Sequence, residues 1–123
     1  MIFNGNNMLV KYLKSKIHRA CVTDANLDYE GSISIDESLM SAANLKTYEK
    51  VHVLDITNGN RVETYVIKAP SGSKEICING AAAHLINPND CIIILSYCSL
   101  NSEEASSFKP TIVKVNDKNE IIH

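Results

Sequence analysis

No run of apolar residues in this sequence approaches the roughly 20 needed to cross a membrane as a helix. The opening stretch Met1–Asn7 lacks the apolar core of a secretory signal, which points to a cytoplasmic protein. Charge of either sign is not in excess: the net value is −2, so there is no electrostatic footprint for nucleic acid or an acidic membrane surface. The four cysteines, Cys21, Cys77, Cys91 and Cys98, form no Cys-x-x-Cys pair. Three of them interleave with Ile and Val, as buried free thiols do. His18, His52, His84 and His123 lack metal-ligand spacing, and no metal is expected. There is no Gly-x-Ser-x-Gly elbow, phosphate-binding loop or dinucleotide fingerprint, and no carboxylate pair suited to glycoside chemistry stands out. Internal repeats and low-complexity linkers are missing too. The 123 residues therefore read as one domain, 1–123, long enough to bury a core without staples.

What is present is mostly β. Met8–Val22 carries strand formers broken by single polar residues, and strand alternation puts Lys16 and His18 on one face and Ile17 on the other. Thr23–Glu30 is polar and turn-like. Ser32–Ile35 alternates, and Asp36 then caps a short helix to Ala43. Val51–Thr57 and Arg61–Ala69 flank Asn58-Gly59, a strong hairpin signal. Glu75–Asn79 is a brief strand, and Gly80–His84 has the small residues of a tight helical turn. Cys91–Cys98 is apolar on both faces, which predicts a fully buried strand. Asn101 opens a short helix, Lys109–Asn116 is a last strand, and the tail is polar. Six or seven short strands with two or three brief helices predict a small, mainly-β barrel.

Reactive side chains collect in three places. The first is Lys16 and His18, with Tyr29 and Ser32 following. Gly31 and Ser32 form a polar break between β segments, where the Ser32 hydroxyl adjoins the Gly31 carbonyl it could attack if activated. The same dipeptide also suits an ordinary turn. The second place is Arg61, Glu63 and Tyr65, which share a strand face. An Arg beside a Tyr can hold a carboxylate and deliver a proton. Such a pair is equally at home on a surface ribbon, and Thr64 falls on the opposite face unless a bulge re-aims it. The third is Asn79, Gly80, Ala81 and Ala82, where backbone N–H groups at a helical start can receive an anion, or small residues simply pack tightly.

These blocks resemble a known family, the bacterial pyruvoyl-dependent aspartate 1-decarboxylases. The matching residues are Lys16-Ile17-His18-Arg19, Asp28 to Ser32, Thr57-Asn58-Gly59 with Arg61, Thr64-Tyr65, and Asn79 to His84. They occur in family order from about Met8 to about Pro110, whereas Met1–Asn7 and the last dozen residues carry no motif.

The resemblance implies a double-psi β-barrel, a homotetramer with sites shared between subunits, and synthesis of β-alanine from L-aspartate for pantothenate. It implies that Ser32 attacks Gly31, and that the resulting ester eliminates and hydrolyses to a pyruvoyl cofactor at the new N-terminus. The chain is thereby cut from a zymogen into residues 1–31 and 32–123. Thr64 would stabilise the oxyanion of cleavage, and Tyr29 would position the bond. In the mature enzyme the substrate amine would form a Schiff base, with Arg61 holding a substrate carboxylate and Tyr65 reprotonating the carbanion. Asn79, Gly80, Ala81 and Ala82 would orient substrate and cofactor. Lys16 and His18 would line the pocket, Lys16 near the new Gly31 carboxylate. Whether a helper protein assists maturation stays open. So do two other readings, a non-catalytic β-barrel binding module and a different self-cleaving enzyme that keeps its serine amine.

Overall fold

The computed structural model describes residues 7–123, so the expectation of a frayed or short extension at Met1–Asn7 lies almost wholly outside the described residues. Nine strands follow one another with short helices between them. They are β1 (Val10–Cys21), β2 (Asp24–Asn26), β3 (Ser32–Asp36), β4 (Lys50–Asp55), β5 (Arg61–Ala69), β6 (Ile76–Asn79), β7 (Cys91–Leu100), β8 (Thr111–Val115) and β9 (Ile121–Ile122). The helices are α1 (Glu37–Ala42), a 3-10 helix (Gly80–His84) and α2 (Ser102–Ala105). The fold is mainly β, as expected. Seven strands have four residues or more, and β2 and β9 are the additions.

Those two were missed because backbone pairing, not side-chain pattern, makes them strands. β2 lies within the segment read as a turn and pairs parallel with β6; β9 lies in the polar tail and pairs with β8. The tail is tied down by Asn119, which is buried. Its Nδ2 donates to the carbonyls of Cys21 and Lys74, and its Oδ1 accepts from the Cys21 N–H.

The ladder runs β2-β6-β3-β5-β4-β7-β1-β8-β9 and mixes parallel with antiparallel pairs. Strand β3 is central to it. It pairs parallel with β5 through Ile33 and Val66, and antiparallel with β6 through Ile33 and Ile78. Alternation sends these apolar residues inward with Ile17, Val51, Val53, Ile92 and Ile94 into one buried cluster. In β1, two residues separate Ile17 from Ala20 where β7 has only Ile93 between Ile94 and Ile92. This bulge, with Arg19 at φ 65°, lets Ile17 and Ala20 both face the core.

Two expectations are corrected. β7 is buried on one face only: Ile92, Ile94 and Ser96 are enclosed, whereas Ile93 and Leu95 are half-buried and Tyr97 is exposed. All four cysteines are free and half-buried rather than enclosed.

The turns follow their chemistry. Asp36 is fully buried and caps α1 through Ser38, and it also accepts the N–H groups of Gly72 and Lys74. Burial pushes its carboxyl up, but these hydrogen bonds outweigh burial and hold it below the usual carboxylate range. The β4–β5 hairpin turns through Gly59 at φ +82°. Asn58 and Asn60 both donate from Nδ2 to the Leu85 carbonyl, which pins this hairpin to the segment after the 3-10 helix.

Asp55, at the end of β4, is buried. Its Oδ1 accepts from the N–H groups of Thr57 and Asn58, while Oδ2 has no hydrogen-bond partner. Burial and the neighbouring Asp90 carboxyl push it up to about 6. Two buried carboxyls held close together favour keeping a proton on one of them. The folded chain therefore keeps a proton here that the unfolded chain releases, and this contribution is lost as pH rises through about 6. Asp55→Asn preserves the Oδ1 acceptor and supplies a donor toward Asp90. It is expected to raise stability at pH 8 by about 1–3 kcal/mol, with the gain shrinking toward pH 4. Urea unfolding at the two pH values measures this; a gain independent of pH would show that Asp55 does not titrate in this way.

Candidate active site

Ser32 opens β3 and is 1% exposed, although it follows an exposed loop. It lies on the face of β3 away from the apolar core, with Ser34, because Ile33 and Ile35 take the inward positions. Its register partner on β6 is Asn79, whose Nδ2 donates to Ser32 Oγ at 2.9 Å and to Ser34 Oγ at 3.0 Å. Asn79 Oδ1 accepts from Cys77 Sγ at 3.3 Å, so the amide is held with its nitrogen toward the serines. Ser32 Oγ donates to the Glu30 carbonyl at 3.2 Å. The serine hydroxyl is thus buried, held on both sides and four covalent bonds along its own chain from the Gly31 carbonyl carbon.

The two glycines at this point have different duties. Gly31 lies outside the left-handed φ region, and a Cβ built on it would meet nothing within 4 Å. The conformational freedom expected of Gly31 is not what the backbone uses here. Gly80 uses it instead. Its φ is +77°, and a Cβ there would lie 2.8 Å from both Cα and N of Gly31 and 3.1 Å from the Tyr29 carbonyl oxygen. The start of the 3-10 helix therefore presses directly on the Gly31 backbone, and only glycine permits it. Close packing and proximity to the proposed cleavage point turn out to be the same feature.

Residues on β5 divide along its length. Its register with β4 runs unbroken from Arg61 to Tyr65, so no bulge re-aims Thr64. Thr64 shares the face of Val62 and Val66, and its hydroxyl makes no hydrogen bond among the described residues. Because Val66 pairs with Ile33, Tyr65 lies beside Ser32 on the shared outer face, and Thr64 is offset toward the Gly31 side. The tilted ring of Tyr48 stands 6.0 Å from that of Tyr65.

Arg61 is not next to Tyr65. Three residues of strand lie between them, a rise of about 13 Å. Arg61 is exposed in a cleft of about 530 Å³ that it shares with Lys11, Lys50, His52, Glu63 and Tyr97.

The remaining expected residues are scattered. Lys16 and His18 are half-buried on β1, and their side chains make no hydrogen bond or ion pair among the described residues. Burial, then Lys16, Arg19 and Lys114, lower the His18 value and favour neutral imidazole. The Tyr29 side chain is 54% exposed, and it is the Tyr29 carbonyl that approaches Gly80. Ala81 is exposed and Ala82 packs against the core. Ser34 and Cys77, which fix Asn79, were missed from the sequence; strand parity with Ser32 and Asn79 was the available signal. Gly31→Ala is expected to change stability by less than about 0.5 kcal/mol. Gly80→Ala is expected to cost at least about 1–2 kcal/mol. Thermal unfolding of both variants decides this; equal effects would remove the assigned difference.

The family described as aspartate decarboxylase matches residues 8–122. An aspartate 1-decarboxylase of Acetivibrio thermocellus is 59% identical over 116 residues, 94% of this chain and 92% of that one. One from Caldicellulosiruptor bescii is 57% identical over 115 residues, 94% and 90% of the two chains. One from Clostridium botulinum (strain Loch Maree / Type A3) is 56% identical over 114 residues, 93% and 90% of the two. Among solved structures, the computationally designed msDPBB_sym2 protein is similar at a TM-score of 0.47 and 15% identity, over 71% of this chain and 99% of that one. With a match that runs through nearly every described strand and includes the Gly31–Ser32 and Asn79–Gly80 contact, the chain belongs to the aspartate decarboxylase family.

Proposed function

We propose that this chain is a self-processing cytoplasmic enzyme that converts L-aspartate to β-alanine and CO2, using a pyruvoyl group made from Ser32. The observation that carries the proposal is the buried Ser32 hydroxyl, gripped by Asn79, beside a Gly31 backbone against which Gly80 is packed. The domain 1–123 would be divided into residues 1–31 and 32–123.

In processing, Ser32 Oγ attacks the Gly31 carbonyl, the Gly31–Ser32 C–N bond breaks, and the released nitrogen takes up a proton. An N–H donor on Oγ, here Asn79 Nδ2, favours the ionised form of the hydroxyl. The hydroxyl of Thr64 has no competing hydrogen bond among the described residues and is offset toward Gly31, but on the face opposite Ser32. It would serve the oxyanion only if the Gly31 carbonyl turns toward that face during the attack. Lys16, equally without a partner, would meet the Gly31 carboxylate once it forms, with neutral His18 beside it in the pocket wall. Tyr29 would act through its backbone, whose carbonyl borders the Gly80 contact.

The pyruvoyl group, once present, supplies a ketone that captures the substrate amine and accepts the electrons released with CO2. The residues present fit it: the Ser32 position is buried, the Asn79 amide is fixed against it, and Gly80 brings backbone rather than a side chain up to Gly31. Asn79, Gly80 and the first N–H groups of the 3-10 helix, at Ala81 and Ala82, would orient substrate there. Tyr65 lies beside Ser32 in the β3–β5 register and would return a proton to the carbon that loses CO2. Arg61 would hold the retained side-chain carboxylate, since a cation on the departing carboxylate would stabilise charge that must leave.

Arg61 is too far along β5 to serve Ser32 of its own chain, and this favours a homotetramer in which one subunit's Arg61 serves its neighbour. The half-buried apolar face of β7, with Ile93 and Leu95, suits such an assembly.

Ser32→Ala is expected to give one uncut chain that folds but has no decarboxylase activity, read by intact mass and by β-alanine formation. An active, uncut Ser32→Ala protein would falsify the cofactor assignment. Cleavage with the serine amine retained would instead favour a hydrolase-like self-cleaving enzyme, and an uncut, inactive wild type a binding module. Tyr65→Phe is expected to process normally and to lower kcat by about 10²–10⁴-fold, as for a lost general acid. Turnover within twofold of wild type would move the proton donor elsewhere.

A further inference from the structure

We infer that His52, itself fixed by Glu63, is a positioning residue that aims Arg61 at the substrate carboxylate. The inference rests on the reading of Arg61 given under Proposed function and adds the device that orients it. Strand register builds the cluster. His52 on β4 lies directly opposite Glu63 on β5 and opposite Leu95 on β7; Arg61 precedes Glu63 by two residues and Tyr97 follows Leu95 by two, so they flank His52 from opposite directions on the same outer face.

The atoms then define a direction. Arg61 Nη2 donates to His52 Nδ1 at 2.8 Å and to the Tyr97 hydroxyl at 3.5 Å. His52 Nε2 lies 3.4 Å from Glu63 Oε1, and the His52 ring meets the Tyr97 ring edge-on with centroids 5.0 Å apart. Glu63 is itself tied to Lys50 at 3.2 Å, and this lysine, with the charge of Arg61 adding to it, holds its carboxyl below the usual range.

A guanidinium cannot accept a hydrogen bond, so the Arg61–His52 bond exists only when Nδ1 presents its lone pair. The ionised Glu63 carboxylate facing Nε2 selects the tautomer with the proton there, which leaves Nδ1 as the acceptor. Charge complementarity thus runs in one order, from Glu63 through His52 to Arg61. The bonds engage Nη2 and leave the hydrogens of Nη1, at the end of the guanidinium, to donate to an incoming carboxylate. A long, exposed arginine loses considerable rotamer freedom on binding, and a guanidinium already held on one side has less to lose when substrate arrives.

The test separates acceptor position from mere polarity, using the processed, full-length enzyme. Asn places an oxygen near the position of Nδ1, whereas Gln carries it out toward the position of Nε2. His52→Gln is expected to raise the KM for L-aspartate about tenfold with kcat changed less than about twofold, and His52→Asn to stay within about threefold of wild type. In an Arg61→Ala background, His52→Gln is expected to add no further effect. Equal behaviour of the Asn and Gln variants, a loss confined to kcat, or effects that multiply in the double variant would each overturn the role of His52 while leaving Arg61 in the site. An Arg61→Ala enzyme with unchanged KM would overturn the reading of Arg61 and this inference together.

Discussion

Strand β3 is hydrogen-bonded along both edges, parallel to β5 and antiparallel to β6, and the position of Ser32 depends on that double pairing. Ile33 and Ile35 must face the core, so Ser32 and Ser34 must face away from it. A slip of one residue would push the serines into apolar packing and expose the isoleucines, which fixes the register strongly. The antiparallel edge brings Asn79 opposite Ser32, and the parallel edge brings Tyr65 alongside. Three residues far apart in sequence are thereby placed by a pairing whose energetic support is the apolar face, not the polar one.

The contact between Gly80 and Gly31 adds a second constraint. A left-handed glycine at the start of the 3-10 helix allows backbone to press on backbone, with no side chain between them. This approach limits the motion of the Gly31 peptide while Asn79 and the Glu30 carbonyl hold the adjoining hydroxyl. Both groups of the bond proposed to be cut are therefore restrained before any chemistry, which would let proximity contribute to the proposed attack.

The site as one chain presents it is split. β5 carries Tyr65 near Ser32 at one end and Arg61 at the other, with Glu63 between them tied to His52 and Lys50. Strand geometry sets Arg61 and Tyr65 about 13 Å apart along β5, because its residues are spaced by about 3.3 Å each. The cross-strand cluster around Arg61 faces outward, as the proposed sharing of sites between subunits would require.

Much was legible in the sequence because it depends on local pattern. The alternation in Ser32–Ile35 and Val51–Thr57, the cap at Asp36 and the Asn58-Gly59 hairpin are dictated by side-chain periodicity and turn chemistry within a few residues. The order of Gly31-Ser32, Arg61, Thr64-Tyr65 and Asn79-Gly80 was enough to mark the family resemblance. The strands β2 and β9 were not legible, since three and two residues become strand only through a partner elsewhere. Nor was the half-exposed face of β7, because an apolar residue reads the same whether it meets a core or an uncovered surface. The separate roles of Gly31 and Gly80, the grip of Asn79 on Ser32 and the alignment of His52 with Arg61 were decided by tertiary structure alone. Each is a contact between segments 9 to 49 residues apart, and sequence pattern carries no distance across such a gap until the register of the strands is set.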